Sequence, residues 1–434
     1  MDNRKERLSD ALTAWFEAGI KKERHKEIGV EVEHFLLDPG SGRAVSYYGQ
    51  GGVGEILAAL MDMYPEAVRI PGENLLGFST PSFNITLEPA AQFEISITYS
   101  DSVSEITEIY KQFREKLDAA AARYGACVCT FGCQPVSEIE ELQLIPKKRY
   151  ALMDRYFREA GTDGPEMMRG TCSTQVSVDY FSEEDFRRKM QAAYYYTPLF
   201  KLLTANSPMY QGRKTALFMN RADIWNRTDP RRCGVVPGVF SEHFGFRDYA
   251  EFLIGMPLIF LERDGDSLYT GMKTTGEVFE EHELRKEDLP HIISMAFPDV
   301  RLKQYLEIRA ADSLPADYIP GYLALVQGLM YSEKVLDHVQ EQIRVRQISG
   351  DKVRETEQSL IQDGFEGYIY GVRAADFAEE AISLAGEELG AYEREAIGRL
   401  AKLPLHGPAN CKSAEKRGFW HMCESPIASI SCYG

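Results

Sequence analysis

The stretch Ser82-Phe-Asn-Ile-Thr-Leu-Glu-Pro-Ala-Ala-Gln-Phe-Glu-Ile-Ser-Ile97 constrains the fold most, because its residues separate by alternation into two faces. Successive side chains of an extended strand point to opposite sides. Asn84, Thr86, Glu88, Gln92, Glu94 and Ser96 share one side, while Ile85, Leu87, Phe93, Ile95 and Ile97 share the other. The apolar set predicts contact with a layer of helices. The polar set is either the wet face of an antiparallel sheet or the lining of a site.

Three further stretches repeat the arrangement and shift the balance toward a site. Gly29-Val-Glu-Val-Glu33 sets Glu31 and Glu33 opposite Val30 and Val32. Met168 to Tyr180 reads as a strand with Arg169, Thr171, Ser173, Gln175, Ser177 and Asp179 on one side. Arg301 to Asp312 aligns Lys303, Tyr305, Glu307 and Arg309 against Leu302, Leu306 and Ile308. Side chains two apart on a strand start about 6.6 Å from each other. Carboxylates at that spacing repel unless a cation lies between them. Four converging polar faces would surround Mg²⁺ or Mn²⁺ with hard oxygen ligands, with lysine and arginine facing the same space. Such a site suits the handling of phosphate.

The remaining chain reads as mainly helical. Apolar spacing predicts helices over 8–24, 102–124 and 150–164, another from Ser182 toward Asn206 with Pro198 inside it, and packing faces beyond 315. Gly49-Gln-Gly-Gly-Val-Gly54 satisfies a dinucleotide-binding spacing, but no continuous apolar strand leads into it, which favours a simple turn. Arg221, Arg227, Arg231 and Arg232 crowd one segment, either as a solvated loop or as a carboxylate or phosphate trap. Lys147-Lys-Arg149 and Lys21 to Lys26 read as solvated runs.

At 434 residues, the chain is either two domains or one large domain on an extended sheet. A net charge of -17 with no basic stripe argues against a nucleic-acid partner. The first residues lead into an amphipathic helix, and no run approaches eighteen apolar residues, so a soluble cytoplasmic protein without a membrane partner is expected. Eight cysteines in a chain this long fit reduced thiols better than a disulfide framework. Cys411, Cys423 and Cys432 lie near His406 and His421 without the tight pairs that zinc favours.

Taken in order, these motifs resemble the glutamate–cysteine ligases of the plant and proteobacterial type, in the glutamine synthetase superfamily. Ile28-Gly-Val-Glu-Val-Glu33 is similar to that family's Gly-Thr-Glu-His-Glu strand, and Leu87-Glu-Pro-Ala-Ala-Gln-Phe-Glu-Ile-Ser96 to its Leu-Glu-Pro-Gly-Gly-Gln-Phe-Glu-Leu-Ser. Residues 168–179, Ala205-Asn-Ser-Pro208, Arg221 to Trp225, Phe297 to Lys303 and Tyr305 to Asp312 continue the likeness over roughly 8–395.

The resemblance implies an α+β fold: a six-stranded antiparallel sheet curved into an active-site funnel, with helices packed on its outer face. It implies one catalytic domain over 1–400, followed by a tail over 401–434 of unknown role. The implied reaction joins L-glutamate to L-cysteine through a γ-glutamyl phosphate, using ATP and Mg²⁺ or Mn²⁺. Glu31, Glu33, Glu88, Glu94 and Glu307 would ligate metal, with Glu307 and Arg309 catalytic, Gln175 and Arg221 on substrate, and Arg232 and Lys303 on the nucleotide. Two departures stand out. Ala90 and Ala91 replace paired glycines, and Ala311-Asp-Ser-Leu-Pro315 replaces a segment with tryptophan near the acceptor. The rivals are a ligase for a different amine and a ligand-binding homologue without turnover.

Overall fold

The computed structural model describes residues 4–402. The cysteine- and histidine-bearing tail with Cys411, Cys423, Cys432, His406 and His421 lies outside the described residues.

The architecture is α+β, built on one antiparallel sheet. Its strands are β1 (Ile28–Leu37), β2 (Val68–Arg69), β3 (Gly77–Ser79), β4 (Phe83–Leu87), β5 (Phe93–Ser100), β6 (Cys127–Cys129), β7 (Ser173–Val178), β8 (Val300–Leu302) and β9 (Leu306–Asp312). They lie in the order β8-β9-β7-β1-β5-β4-β3-β2, and β6 pairs with β1. Nine strands therefore stand where six were expected; β2, β3, β6 and β8 have only two or three residues each.

The long alternating stretch 82–97 is a hairpin and not a single strand. It folds back between Leu87 and Phe93 through Glu88-Pro-Ala-Ala-Gln92, where Ala91 N–H donates to Glu88 O and Glu88 N–H to Gln92 O. Residues 301–312 fold back likewise, with Arg301 facing Glu307 and Leu302 facing Leu306. Met168 to Gly170 end a helix instead of starting a strand, so β7 begins only at Ser173.

The apolar parity is buried as expected. Val30, Val32, Ile85, Phe93, Ile95, Val176 and Ile308 are at most 2% exposed. Helices α1 (Arg4–Glu17), α2 (Val53–Met61), α3 (Val103–Arg123), α4 (Lys148–Ala160), α5 (Gly164–Gly170), α6 (Glu183–Leu203), α7 (Asn220–Asn226) and α8 (Ile319–Tyr331) follow in the chain. Among them α3, α6 and α8 cover the outer face of the sheet. Ser102 and Ser182 cap α3 and α6 by accepting from Glu105 N–H and Asp185 N–H, satisfying donors that open a helix. α1 stops seven residues before the expected 24. Gly19 follows at a point where a Cβ would meet the Tyr180 hydroxyl at 2.3 Å.

The glycine run 49–54 leads into α2 as a turn, and among the described residues the strand before it, β1, has only antiparallel partners, as does the Leu37–Ala44 bridge. That geometry overturns the dinucleotide-fold alternative, which needs a parallel strand. Among the described residues no helix is long and apolar enough to cross a membrane.

Candidate active site

The polar parity lines a cavity of about 280 Å³. Three ladder rows build its floor. Thr86, Glu94 and Glu33 are successive partners across β4, β5 and β1. Ser96, Glu31 and Gln175 form the next row across β5, β1 and β7. Gly29, Ser177, Glu307 and Arg301 form the third across β1, β7, β9 and β8. Glu88 enters from the β4–β5 turn, so Glu31, Glu33, Glu88 and Glu94 share the cavity with Gln175, Arg301, Lys303 and Arg309.

The four cavity carboxyls are under electrostatic load. Burial and the neighbouring Glu94 push Glu31 up to about 7, and burial with Glu94 and Glu88 pushes Glu33 up to about 8. Burial and Glu88 raise Glu94 to about 7. Glu88 is raised by burial, against the pull of Lys147 and Arg149. Hydrogen bonds fix the set: Ser173 N–H and the Gln175 amide donate to Glu33, and the Thr86 hydroxyl donates to Glu94 at 2.8 Å.

Glu307 differs. Burial acts to raise its pKa, but Arg301, Lys303 and Arg309 together overcome that and hold it well below the carboxylate range. Its Oε2 accepts from Arg301 at 2.7 Å and from Arg309 at 3.1 Å, and Lys303 pairs with Oε1. A carboxylate already shared by three cations is a poor seat for another, so the expected metal role of Glu307 does not fit this arrangement. It serves instead as the anchor of the cationic wall. Arg309 also donates to the Gln175 amide oxygen, and its Nε is buried without a partner.

Among the described residues no three Asp, Glu, His or Cys side chains already stand as a metal-holding group. The donor set fits a hard divalent cation nonetheless. Glu31, Glu33, Glu88 and Glu94 supply oxygen ligands to one cavity, and burial, the first cause of each raised pKa, burdens their charged forms in a way that a bound cation would relieve.

Helix α7 sets Arg221 and Trp225 one turn apart. The Arg221 guanidinium lies 5.3 Å from the ring of Trp225, which lines the cavity. Its Nη atoms make only long bonds of 3.4 Å to Arg309 O and Ala310 O, and its Nε is buried unpartnered. The Arg221 charge acts on two buried carboxyls, Glu33 and Asp312, and pulls both down against the effect of burial.

Arg232 is not brought to the cavity. It is fully buried, donating to Asp229 at 2.9 Å, to Met295 O at 2.6 Å and to Pro257 O at 2.8 Å. With its fork committed to internal acceptors, the expected nucleotide contact finds no support. Arg227 and Arg231 are also paired internally, to Asp163 and Asp223 and to Asp229.

The solvated reading of Lys147-Lys-Arg149 is corrected for its outer members. Lys147 and Arg149 line the cavity because Ile145 N–H donates to Pro89 O, docking this loop on the Glu88 turn. The signal was the apolar Leu144-Ile-Pro ahead of the charges. Arg301 is a second missed contributor, and its place opposite Glu307 became legible only with the β8–β9 pairing.

Residues 27–396 match the family model described as glutamate-cysteine ligase family 2. The chain belongs to that family. The chloroplastic glutamate–cysteine ligase of Brassica juncea is 30% identical over 339 residues, which span 76% of this chain and 65% of that protein. The Medicago truncatula counterpart is 29% identical over 391 residues, spanning 87% of this chain and 75% of that one. Among solved structures, the glutamate–cysteine ligase of Francisella tularensis in complex with AMP superposes with a TM-score of 0.55 at 11% identity, covering 94% of this chain and 89% of that chain. The glutamate–cysteine ligase family fold therefore carries the cavity described above.

Proposed function

We propose that this chain joins L-glutamate to L-cysteine in an ATP-dependent reaction, with Glu31, Glu33, Glu88 and Glu94 holding Mg²⁺ or Mn²⁺. What carries the reading is four carboxyls and five cations lining one cavity in a chain of this family. A bound divalent cation supplies charge neutralisation for phosphate oxygens.

In the proposed sequence, a γ-carboxylate oxygen of glutamate attacks the terminal phosphorus and ADP departs. The amine nitrogen then attacks the γ-carbonyl, inorganic phosphate leaves, and the nitrogen gives up a proton. The acyl phosphate is the activated species, so no serine, cysteine or lysine nucleophile is needed. The protein positions the groups and stabilises moving charge. Arg309 faces the transferred phosphoryl group, Gln175 and Glu307 orient it, and Arg221 takes a carboxylate of glutamate. Lys303 and Arg301 bind nucleotide phosphates.

The departure at Ala311-Asp-Ser-Leu-Pro315 favours testing other acceptors. Phosphate release from ATP and glutamate is measured with a panel of amines, and products are identified by mass spectrometry. L-Cysteine is expected to stimulate most and to give the γ-glutamyl dipeptide. A different amine with its matching product would reassign the acceptor, and no glutamate-dependent phosphate release would overturn the ligase reading.

A further inference from the structure

The cationic wall ends in a feature that the proposed reaction has not used: an aromatic pair at the rim, Tyr99 and Tyr305. Their rings meet edge to face with centroids 5.6 Å apart. Tyr99 is 41% exposed, although it lies at the end of a sheet strand.

Alternation alone would put Tyr99 on the apolar face with Ile95 and Ile97. It does not lie there. Val30 pairs with Ile97 but Ile28 pairs with Ser100, so β5 carries one extra residue at this point. A bulge of this kind re-aims the side chains beyond it. Tyr99 is thereby turned onto the carboxylate face, over Gly29. A Cβ at Gly29 would stand 3.2 Å from the Tyr99 ring, so a side chain at this position would crowd the ring and glycine leaves it room.

Gly29 continues the row of Glu307 and Ser177, which leaves a floor of small residues between the cationic wall and the ring. Lys303 joins the two regions. Its ammonium pairs with Glu307 on one side and donates to the Tyr305 hydroxyl at 3.2 Å on the other. Phosphates held by Lys303 and Arg301 would therefore leave the rest of a nucleotide beside two aromatic rings. Trp225, which also lines the cavity, stands against the Arg309 side of the Glu307 cluster, its ring 5.9 Å from the Arg309 guanidinium and 5.3 Å from that of Arg221.

We propose that Tyr99 and Tyr305 form the platform on which the purine base of ATP stacks. This rests on the ATP-dependent reading given above. Stacking on an aromatic face favours a two-ring base over a one-ring base and needs no hydrogen-bond readout.

Calorimetric titration of the full chain with ADP tests it. Tyr99→Ala and Tyr305→Ala should each weaken ADP binding by about tenfold or more, and Tyr305→Trp should restore it. The KM for glutamate should move by less than about twofold. Inorganic tripolyphosphate, which has no base, should bind wild type and variants alike. Equal ADP affinity in wild type and both alanine variants would overturn the platform. Parallel loss of ADP and tripolyphosphate would also overturn it, since the rings would then merely brace Lys303. A wild-type chain that binds no ADP would overturn the ATP reading itself.

Discussion

Glu33 and Glu94 stand directly opposite each other across the ladder between β1 and β5, two carboxyls facing one cavity. Like charges at that position destabilise a sheet. Glu31, facing Ser96 and Gln175, and Glu88, from the β4–β5 turn, add two more carboxyls to that cavity, while three cations gather on Glu307 alone. The charge is thus sorted into a part that the protein neutralises and a part left for a ligand.

Removing one of the unneutralised charges should stabilise the metal-free fold and harm function. The folded pKa of Glu94 is about 7 against an ordinary 4.5, so the folded state holds that proton more tightly. Its contribution to stability is present at low pH and is lost as pH rises from 4.5 to about 7. Glu94→Gln should therefore match wild type near the bottom of that window and exceed it above the top by about 1–3 kcal/mol. Mg²⁺ should raise the wild-type melting temperature more at high pH than at low pH, because protons and the cation compete for the same oxygens. Turnover should fall by most of its value. Calorimetry across pH checks this, and a variant less stable than wild type at high pH would show that Glu94 is satisfied by the protein.

Arg232 gives the opposite expectation. Arg232→Met leaves Asp229 buried beside only Tyr156 and the partly exposed Arg231. Breaking a buried pair on one side costs about 3–5 kcal/mol. The variant should be strongly destabilised by denaturant titration, with an unchanged KM for ATP in whatever remains folded. Wild-type stability with a raised KM for ATP would restore the nucleotide role expected from its place in the motif.

Alternation exposed the carboxylates but hid the hairpins, and the reason is arithmetic. Thr86 pairs with Glu94 and Arg301 with Glu307, separations of eight and six residues. An even separation keeps parity across the turn, so a hairpin and one long strand give the same pattern. Which residues face the cavity was therefore legible, while the number of strands was not. Arg232 was illegible for a different reason. An arginine in a motif reads the same whether its fork meets a ligand or three internal acceptors. Lys147 and Arg149 depend on a contact between the 145 loop and Pro89 that has no period to read.

Ala91 adopts a φ of 68° in the turn that carries Glu88. The left-handed region costs an ordinary residue about 1–2 kcal/mol, offset for glycine by its larger entropy loss on folding. Ala91→Gly should stabilise the fold by about 0.5–1 kcal/mol, read as a higher melting temperature, with turnover retained. A lower melting temperature would mean that the alanine methyl packs well enough to outweigh the strain.

Arg309 offers the sharpest test of the chemistry. It donates to Glu307 and Gln175, its backbone N–H is held by Asp299 O at 2.8 Å, and its Nε is buried without a partner. An unpartnered donor of a guanidinium held on both sides is poised to receive an oxygen. Lysine at this position keeps the charge and can still pair with Glu307, but it lacks the planar fork that binds two phosphate oxygens at once. If the contact strengthens as charge moves onto the phosphoryl oxygens, Arg309→Lys should lower kcat by about 10²-fold or more and change the KM for glutamate much less. If Arg309 only completes the ion cluster around Glu307, lysine should replace it with little kinetic effect and slightly lower stability. Steady-state kinetics on the folded variant separate the two, because the loss of an internal ion pair lowers stability without singling out kcat.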